Sequence, residues 1–219
     1  MRGKGGDYVG RTKRYIVGLM VMLTFICVVN GSEVQAAKSE ANYYKSVLEN
    51  QLYIEDADDN MESATEFLLY DVDKDGRKEL IINGYVGGKS EQVSIIYCHK
   101  KNKYVKTVML GHVEKVSSKG IYTSDIATSG AGYNFYESRY VYRLNSDGKA
   151  YEILNKSVTS EYSPSIDDYK TTSIKYYKCK GEKETKITKK RFNALLEKYK
   201  LKHANMHQIT TENIKKYVK

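Results

Sequence analysis

The sequence predicts an α+β domain, an antiparallel β-meander of about six to eight strands with helices from the N-terminal and C-terminal ends packed against it. Three observations predict it. Short apolar or aromatic runs recur between residues 67 and 180, each bounded by turn residues. The 21 Tyr and four Phe, with no Trp and one Pro, suit half-buried strands, because a tyrosine ring packs while its hydroxyl reaches water. Apolar residues at helical spacing occur near the two ends of the chain and not between them.

Ahead of the first element, Arg2, Lys4, Arg11, Lys13 and Arg14 precede an apolar run from Tyr15 to Val29, then Gly31-Ser32 and Val34-Gln35-Ala36. That is the order of a secretory signal: basic region, apolar region, small residues for cleavage. The run holds 15 residues, against roughly 20 for a membrane-spanning helix. Residues 1–36 are therefore expected to be a signal peptide, cleaved after Ala36, leaving residues 37–219 as a single secreted or extracellular domain. An uncleaved membrane anchor through residues 15–29 is the alternative. Lipid attachment at Cys27 fits poorly with the bulky Phe25 and Ile26 before it.

Removing residues 1–36 leaves 31 Lys/Arg against 25 Asp/Glu, a formal charge of +6. Four arginines remain, Arg77, Arg139, Arg143 and Arg191, and no Arg-rich helix or nucleic-acid motif groups them. This argues against nucleic acid as a partner. An anionic cell-wall polymer or another protein suits the dispersed Lys better, and a merely solubilising surface is the plain alternative. High Lys over Arg, few Cys and no Trp also match secreted proteins of low-GC Gram-positive bacteria.

Along the domain, Ser39 can cap a helix that places Tyr44, Val47, Leu48 and Leu52 on one stripe. The acidic stretch Glu55 to Glu62 has no alternating pattern and reads as a loop. Strands are expected at Phe67 to Tyr70, Leu80 to Val86, Gln92 to Cys98, Tyr104 to Leu110, Gly120 to Asp125, Tyr133 to Leu144, Tyr151 to Leu154 and Thr172 to Lys180. Turn residues at Lys100 to Lys103, Asn145 to Gly148 and Lys180 to Glu182 mark hairpin tips. Thr188 caps a helix carrying Phe192, Leu195, Leu196 and Tyr199 on one face, and Ile187 can staple onto Phe192. A short helix is expected from Thr211 to Tyr217.

One segment carries definite chemistry, Asp71-Val72-Asp73-Lys74-Asp75-Gly76-Arg77-Lys78-Glu79-Leu80. Carboxylates at loop positions 1, 3 and 5 converge when the chain curls around a hard cation, and Gly76 permits the sharp turn. The backbone carbonyl of Arg77 at position 7 and the carboxylate of Glu79 at position 9 complete an oxygen shell. The metal ligands expected are Asp71, Asp73, Asp75, Arg77 and Glu79, and the ion is Ca2+ in a structural role. The other reading is a solvated acidic turn between strands. Position 12, where an EF-hand has a bidentate Glu, is Ile82, and the flanks look like strands rather than helices. Over residues 67–85 the segment resembles the strand-loop-strand calcium loops of the FG-GAP type, and also a recurring segment of secreted Firmicute proteins of unknown function. The resemblance implies a calcium loop and no activity; a propeller fold does not transfer from one loop.

Other candidates are weaker. His203 and His207 stand four apart, a spacing that puts two zinc ligands on one helix face, without the Glu of a zinc protease. Cys98 and His99 adjoin on a strand and so point to opposite faces. Cys98 and Cys179 could form a disulfide or stay separate buried thiols. Gly130-Ala131-Gly132 is too short for a phosphate loop, and no nucleophile elbow is present. The expectation is a secreted or cell-surface, non-enzymatic, calcium-binding module for a partner or envelope component. Its alternatives are a hydrolase of wall or host polymers, using Glu137 or Glu152 with an acid of the loop, and an immunity or inhibitor protein.

Overall fold

The computed structural model describes residues 39–52, 63–86, 91–128, 134–181 and 183–219. The signal segment, the acidic stretch Glu55 to Glu62 and the Gly130-Ala131-Gly132 turn lie outside these residues. The chain divides into residues 1–43 and a compact unit from Tyr44 to Lys219, and a helix, α1, spans residues 39–49.

The strands form a mainly antiparallel α+β protein, as the alternation of apolar runs and turns predicts, but in two sheets rather than one. The first is built on β1 (Ser63–Tyr70), β2 (Glu79–Val86), β3 (Glu91–Lys100) and β4 (Lys103–Leu110). The second follows with β5 (His112–Ser117), β6 (Gly120–Thr128), β7 (Asn134–Leu144), β8 (Ala150–Ser163), β9 (Asp168–Lys180) and β10 (Lys183–Lys186). Each of these strands pairs with its sequence neighbour except across the β4–β5 junction. Helix α2 (Lys189–Leu196) comes next, then two short strands, β11 (Lys202–His203) at the edge of the second sheet and β12 (His207–Gln208) at the edge of the first, and finally α3 (Thr211–Tyr217). The strand count exceeds the expected range because β5 and β10 to β12 are short or polar, with no apolar run to announce them.

A single residue turns the chain from one sheet into the other. Gly111 has φ of +80°, and a Cβ there would lie 2.4 Å from the Ser124 carbonyl oxygen. Its amide donates to Gln92 O at 2.8 Å. Beside it, Asn83 and Ser94 are wholly buried. The Ser94 hydroxyl lies 2.7 Å from both Asn83 Oδ1 and Gly111 O, and the Val113 amide donates to Asn83 Oδ1 at 2.9 Å. Buried polar groups at such a junction need partners, because each one left unpaired costs about 1–3 kcal/mol.

The core lies between the sheets. Leu68, Ile81, Ile96, Cys98 and Met109 of the first meet Val113, Val116, Ile121, Tyr140, Tyr142 and Leu144 of the second, each large side chain contributing about 1.5–3 kcal/mol by burial. The period of two puts Leu80 and Ile82 on the opposite face of β2, and both are fully buried. On that side Tyr44 donates its hydroxyl to Tyr97 O at 3.3 Å, and Val47 and Leu48 of α1 are buried, which is the expected stripe. The Tyr217 ring of α3 stacks on His207 at 3.6 Å, and His207 meets Phe67 edge-on.

Helix α2 closes the far face of the second sheet. Phe192 packs with Tyr122, Val141 and Leu154, and Ile187, Leu195, Leu196 and Tyr199 join them. The cap is the expected one: Thr188 Oγ1 accepts from Arg191 N at 3.2 Å.

Candidate metal centre

Strand pairing puts the loop of residues 71–78 at one end of the sandwich. Tyr70 pairs with Glu79, so the loop is the whole β1–β2 connection. Glu79 shares its face of β2 with Ile81 and Asn83 and therefore points between the sheets. It is only 1% exposed, and its Oε2 accepts from Val72 N at 2.7 Å. Burial pushes this carboxyl up to about 8, with Asp73 and Asp75 adding to the shift against the Val72 amide and Lys100.

The loop folds on its own carboxylates. Asp71 Oδ1 accepts from Lys74 N at 2.7 Å and its Oδ2 from Gly76 N at 3.3 Å, while Asp73 Oδ1 accepts from Asp75 N at 3.2 Å. Asp75 Oδ1 accepts from Arg77 N at 2.9 Å. Lys74 and Gly76 take the left-handed conformation, φ +64° and +86°, which the short-range turns require.

Of the five expected ligands, Asp71, Asp73 and Glu79 come together, with one carboxylate oxygen from each lying within 4.8 Å of the others. All are hard oxygen donors, and Glu79 at the base is a buried carboxyl whose charged form a cation would favour, so this donor set fits calcium. Asp75 turns instead to Lys100. The Arg77 guanidinium meets the ring of His99.

Lys100 is the residue that sequence reasoning missed. Leu80 pairs with Tyr97, so β3 runs on past the start of β2 and carries Lys100 alongside the loop. Its ammonium bonds to Asp75 Oδ2 and lies 2.5 Å from Asp73 Oδ2. Burial alone would raise the Asp75 carboxyl, but Lys100 and the Arg77 amide hold it below its ordinary range. Burial likewise pulls on the ammonium, yet Asp73 and Asp75 outweigh it and keep Lys100 charged.

The remaining candidates separate. His203 and His207 lie on β11 and β12, in different sheets, so they do not share a helix face. Cys98 and Cys179 are both free and buried. Cys98 sits in the inter-sheet core, and the Cys179 thiol donates to Glu152 Oε1 at 2.9 Å. Glu184 stands opposite Cys179 across β9 and β10 and completes a small group with them, which only strand pairing assembles. Glu137 is engaged by Arg139, on the sheet face opposite to Glu152 by the β7–β8 register. Neither belongs to the loop cluster. A groove of about 570 Å³ at the sheet junction is lined in part by polar groups that pair with one another, Asn83 with Glu66 and Ser124 with Glu114, while the buried Gln92 Oε1 of the same lining has no hydrogen-bond partner among the described residues.

No family profile, no curated protein and no solved structure matches this chain. Fold and loop together define an antiparallel α+β protein with an acidic loop at one end of its core, in which Asp71, Asp73 and Glu79 stand close together.

Proposed function

We propose that this chain is an exported or cell-surface module, without catalytic activity, in which one structural calcium ion steadies the β1–β2 connection and the surface binds an envelope component or another protein. The observation that carries the reading is the convergence of Asp71, Asp73 and Glu79, with donor oxygens within 4.8 Å of one another, in the spacing of an oxygen-liganded loop. Asp75 and the carbonyl of Arg77 complete the shell once Asp75 leaves Lys100. Glu79 supports a structural role, because its carboxylate is anchored in the core and holds the Val72 amide. Extracellular calcium is near millimolar, so a dissociation constant of about 0.1–1 mM suffices, and calcium at ten times that constant stabilises the fold by about 1.4 kcal/mol. The charge of +6 on residues 37–219 favours an anionic partner.

Thermal unfolding of the purified protein with calcium, with magnesium and with a chelator tests this, beside an Asp73→Ala, Asp75→Ala double variant. The expected result is a calcium-specific rise in midpoint that the double variant loses. An identical midpoint in calcium and chelator sinks the metal assignment.

A further inference from the structure

Strand β10 covers only part of the outer edge of β9. Its 4 residues pair with Tyr177 to Lys180, and Ile187 N then donates to Tyr176 O at 2.8 Å. From Lys170 to Lys175 the strand pairs with β8 on one side and has no partner strand on the other among the described residues. Backbone groups alternate in direction along a strand. Since the Tyr176 carbonyl points to this edge, so do the NH and C=O of Ile174.

The two faces beside the open edge differ. Tyr176 packs beneath α2, so Ile174, two residues earlier, lies on the same face, where it is 49% exposed. Further along that face Tyr169 meets Phe135 and Tyr162 at ring-centroid distances of 5.9 and 5.8 Å. Lys170 and Lys175 alternate with these residues and take the opposite face. Both are exposed, and neither forms an ion pair among the described residues, although Glu161 stands across from Lys170 on β8.

We infer that the open edge of β9 takes an extended segment of another protein as an added strand, one in which acidic residues alternate with apolar ones. The inference deepens the partner-binding reading above and rests on it for the existence of a partner; it does not depend on calcium. Main-chain bonds to Ile174 hold such a strand, and its side chains alternate between the faces. Apolar residues cover Ile174 and border Tyr169, while acidic ones meet Lys170 and Lys175. Charge along the edge favours that choice, because β9 carries four lysines and β10 two, against Asp168 and Glu184. A second copy of this chain is the poorer occupant. Antiparallel pairing centred on the open stretch would set Lys170 of each copy opposite Lys175 of the other, and like charges directly opposed destabilise a ladder.

The test is hydrogen exchange, read by NMR on the purified protein, with a short capped peptide of alternating Glu and Val and with its Lys and Val counterpart. The expected result is that only the acidic peptide binds, and that it slows exchange of the Ile174 amide by about tenfold or more. Ile174→Pro removes that amide without removing a bond to β8, and should abolish binding. Lys170→Glu with Lys175→Glu should transfer the preference to the basic peptide, which a damaged fold would not do. Equal binding of both peptides, binding of neither, or binding that leaves the Ile174 amide exchanging freely overturns the inference. An Ile174 amide already slow without peptide overturns it too, since this chain or a second copy then fills the edge. Binding of polyphosphate but of neither peptide overturns it while leaving an anionic envelope partner standing. Melting midpoints of the same samples in calcium and in chelator read the calcium assignment separately, so either reading can fail alone.

Discussion

The Lys100 ammonium lies 2.5 Å from Oδ2 of Asp73, at the position where a loop cation would draw its charge. The chain thus carries a tethered cation beside its own acidic loop. Lys100 and a metal ion compete for the same carboxylates, and Asp75 can serve only one of them fully.

Lys100→Met should therefore raise calcium affinity, by about three- to tenfold if half to one charge of repulsion is removed from a partly exposed site. In chelator the same variant should unfold at lower temperature, because Asp73 and Asp75 lose their counter-charge. Calorimetric titration and thermal melts read the two effects separately. A variant with unchanged calcium affinity would show that Lys100 and the ion do not compete.

Glu79 makes the metal-free protein sensitive to pH. Its carboxyl titrates at about 8 in the fold, against an ordinary 4.5, so the folded state favours the protonated form. The stability this gives is fully present below about 4.5 and is lost as pH rises through about 8. In chelator, urea midpoints should fall across that window, and Glu79→Gln should flatten the fall. With calcium bound the wild-type decline should shrink, since the ion favours the charged form. A decline of equal steepness in Glu79→Gln would assign it to another group.

Two glycines with similar backbone angles should differ in cost. Gly76 has φ of +86° and open space around a built Cβ, so Gly76→Ala should lose only the conformational penalty of about 1–2 kcal/mol. Gly111 has φ of +80°, but its Cβ would meet backbone atoms of Ser124 at 2.4 and 2.5 Å. These atoms belong to a paired strand and cannot retreat. Gly111→Ala should cost about 3 kcal/mol or more, as urea denaturation would measure. Equal losses at both positions would refute the close approach.

At the same junction, Asn83→Ala should destabilise by about 2–4 kcal/mol. It removes the nearer acceptor of the Val113 amide, Asn83 Oδ1 at 2.9 Å, leaving Ser94 Oγ at 3.1 Å, and it strands Glu66 Oε1, which Asn83 Nδ2 now serves. Asn83→Asp should restore the acceptor but set a second carboxylate against Glu66, and so recover little. Full stability in the Ala variant would mean that water replaces the side chain.

What could be read from the sequence was whatever short-range physics decides. The strand at Leu80 to Val86, the Thr188 cap with Phe192 beneath it and the helix at Thr211–Tyr217 follow from periods of 2 and 3.6 and from local hydrogen bonds. The loop was legible for the same reason, because Asp71, Asp73, Asp75 and Glu79 are neighbours in the chain.

Only the tertiary structure decided the rest. The polar half of β8, up to Ser163, is a strand because β7 and β9 pair with it on both sides, and no apolar pattern marks it. The chain passes between the two sheets at one glycine, whose need to lack a Cβ is invisible until the Ser124 backbone is beside it. His203 and His207 look like helical neighbours in the sequence, yet edge pairing sends them to different sheets. Lys100 reaches Asp73 and Asp75 through the register of β2 with β3. Residue types and their spacing determined which groups could hold a cation. Strand pairing between distant segments decided which charges surround it, because long-range register depends on the packing of the whole sandwich and not on any window of the chain.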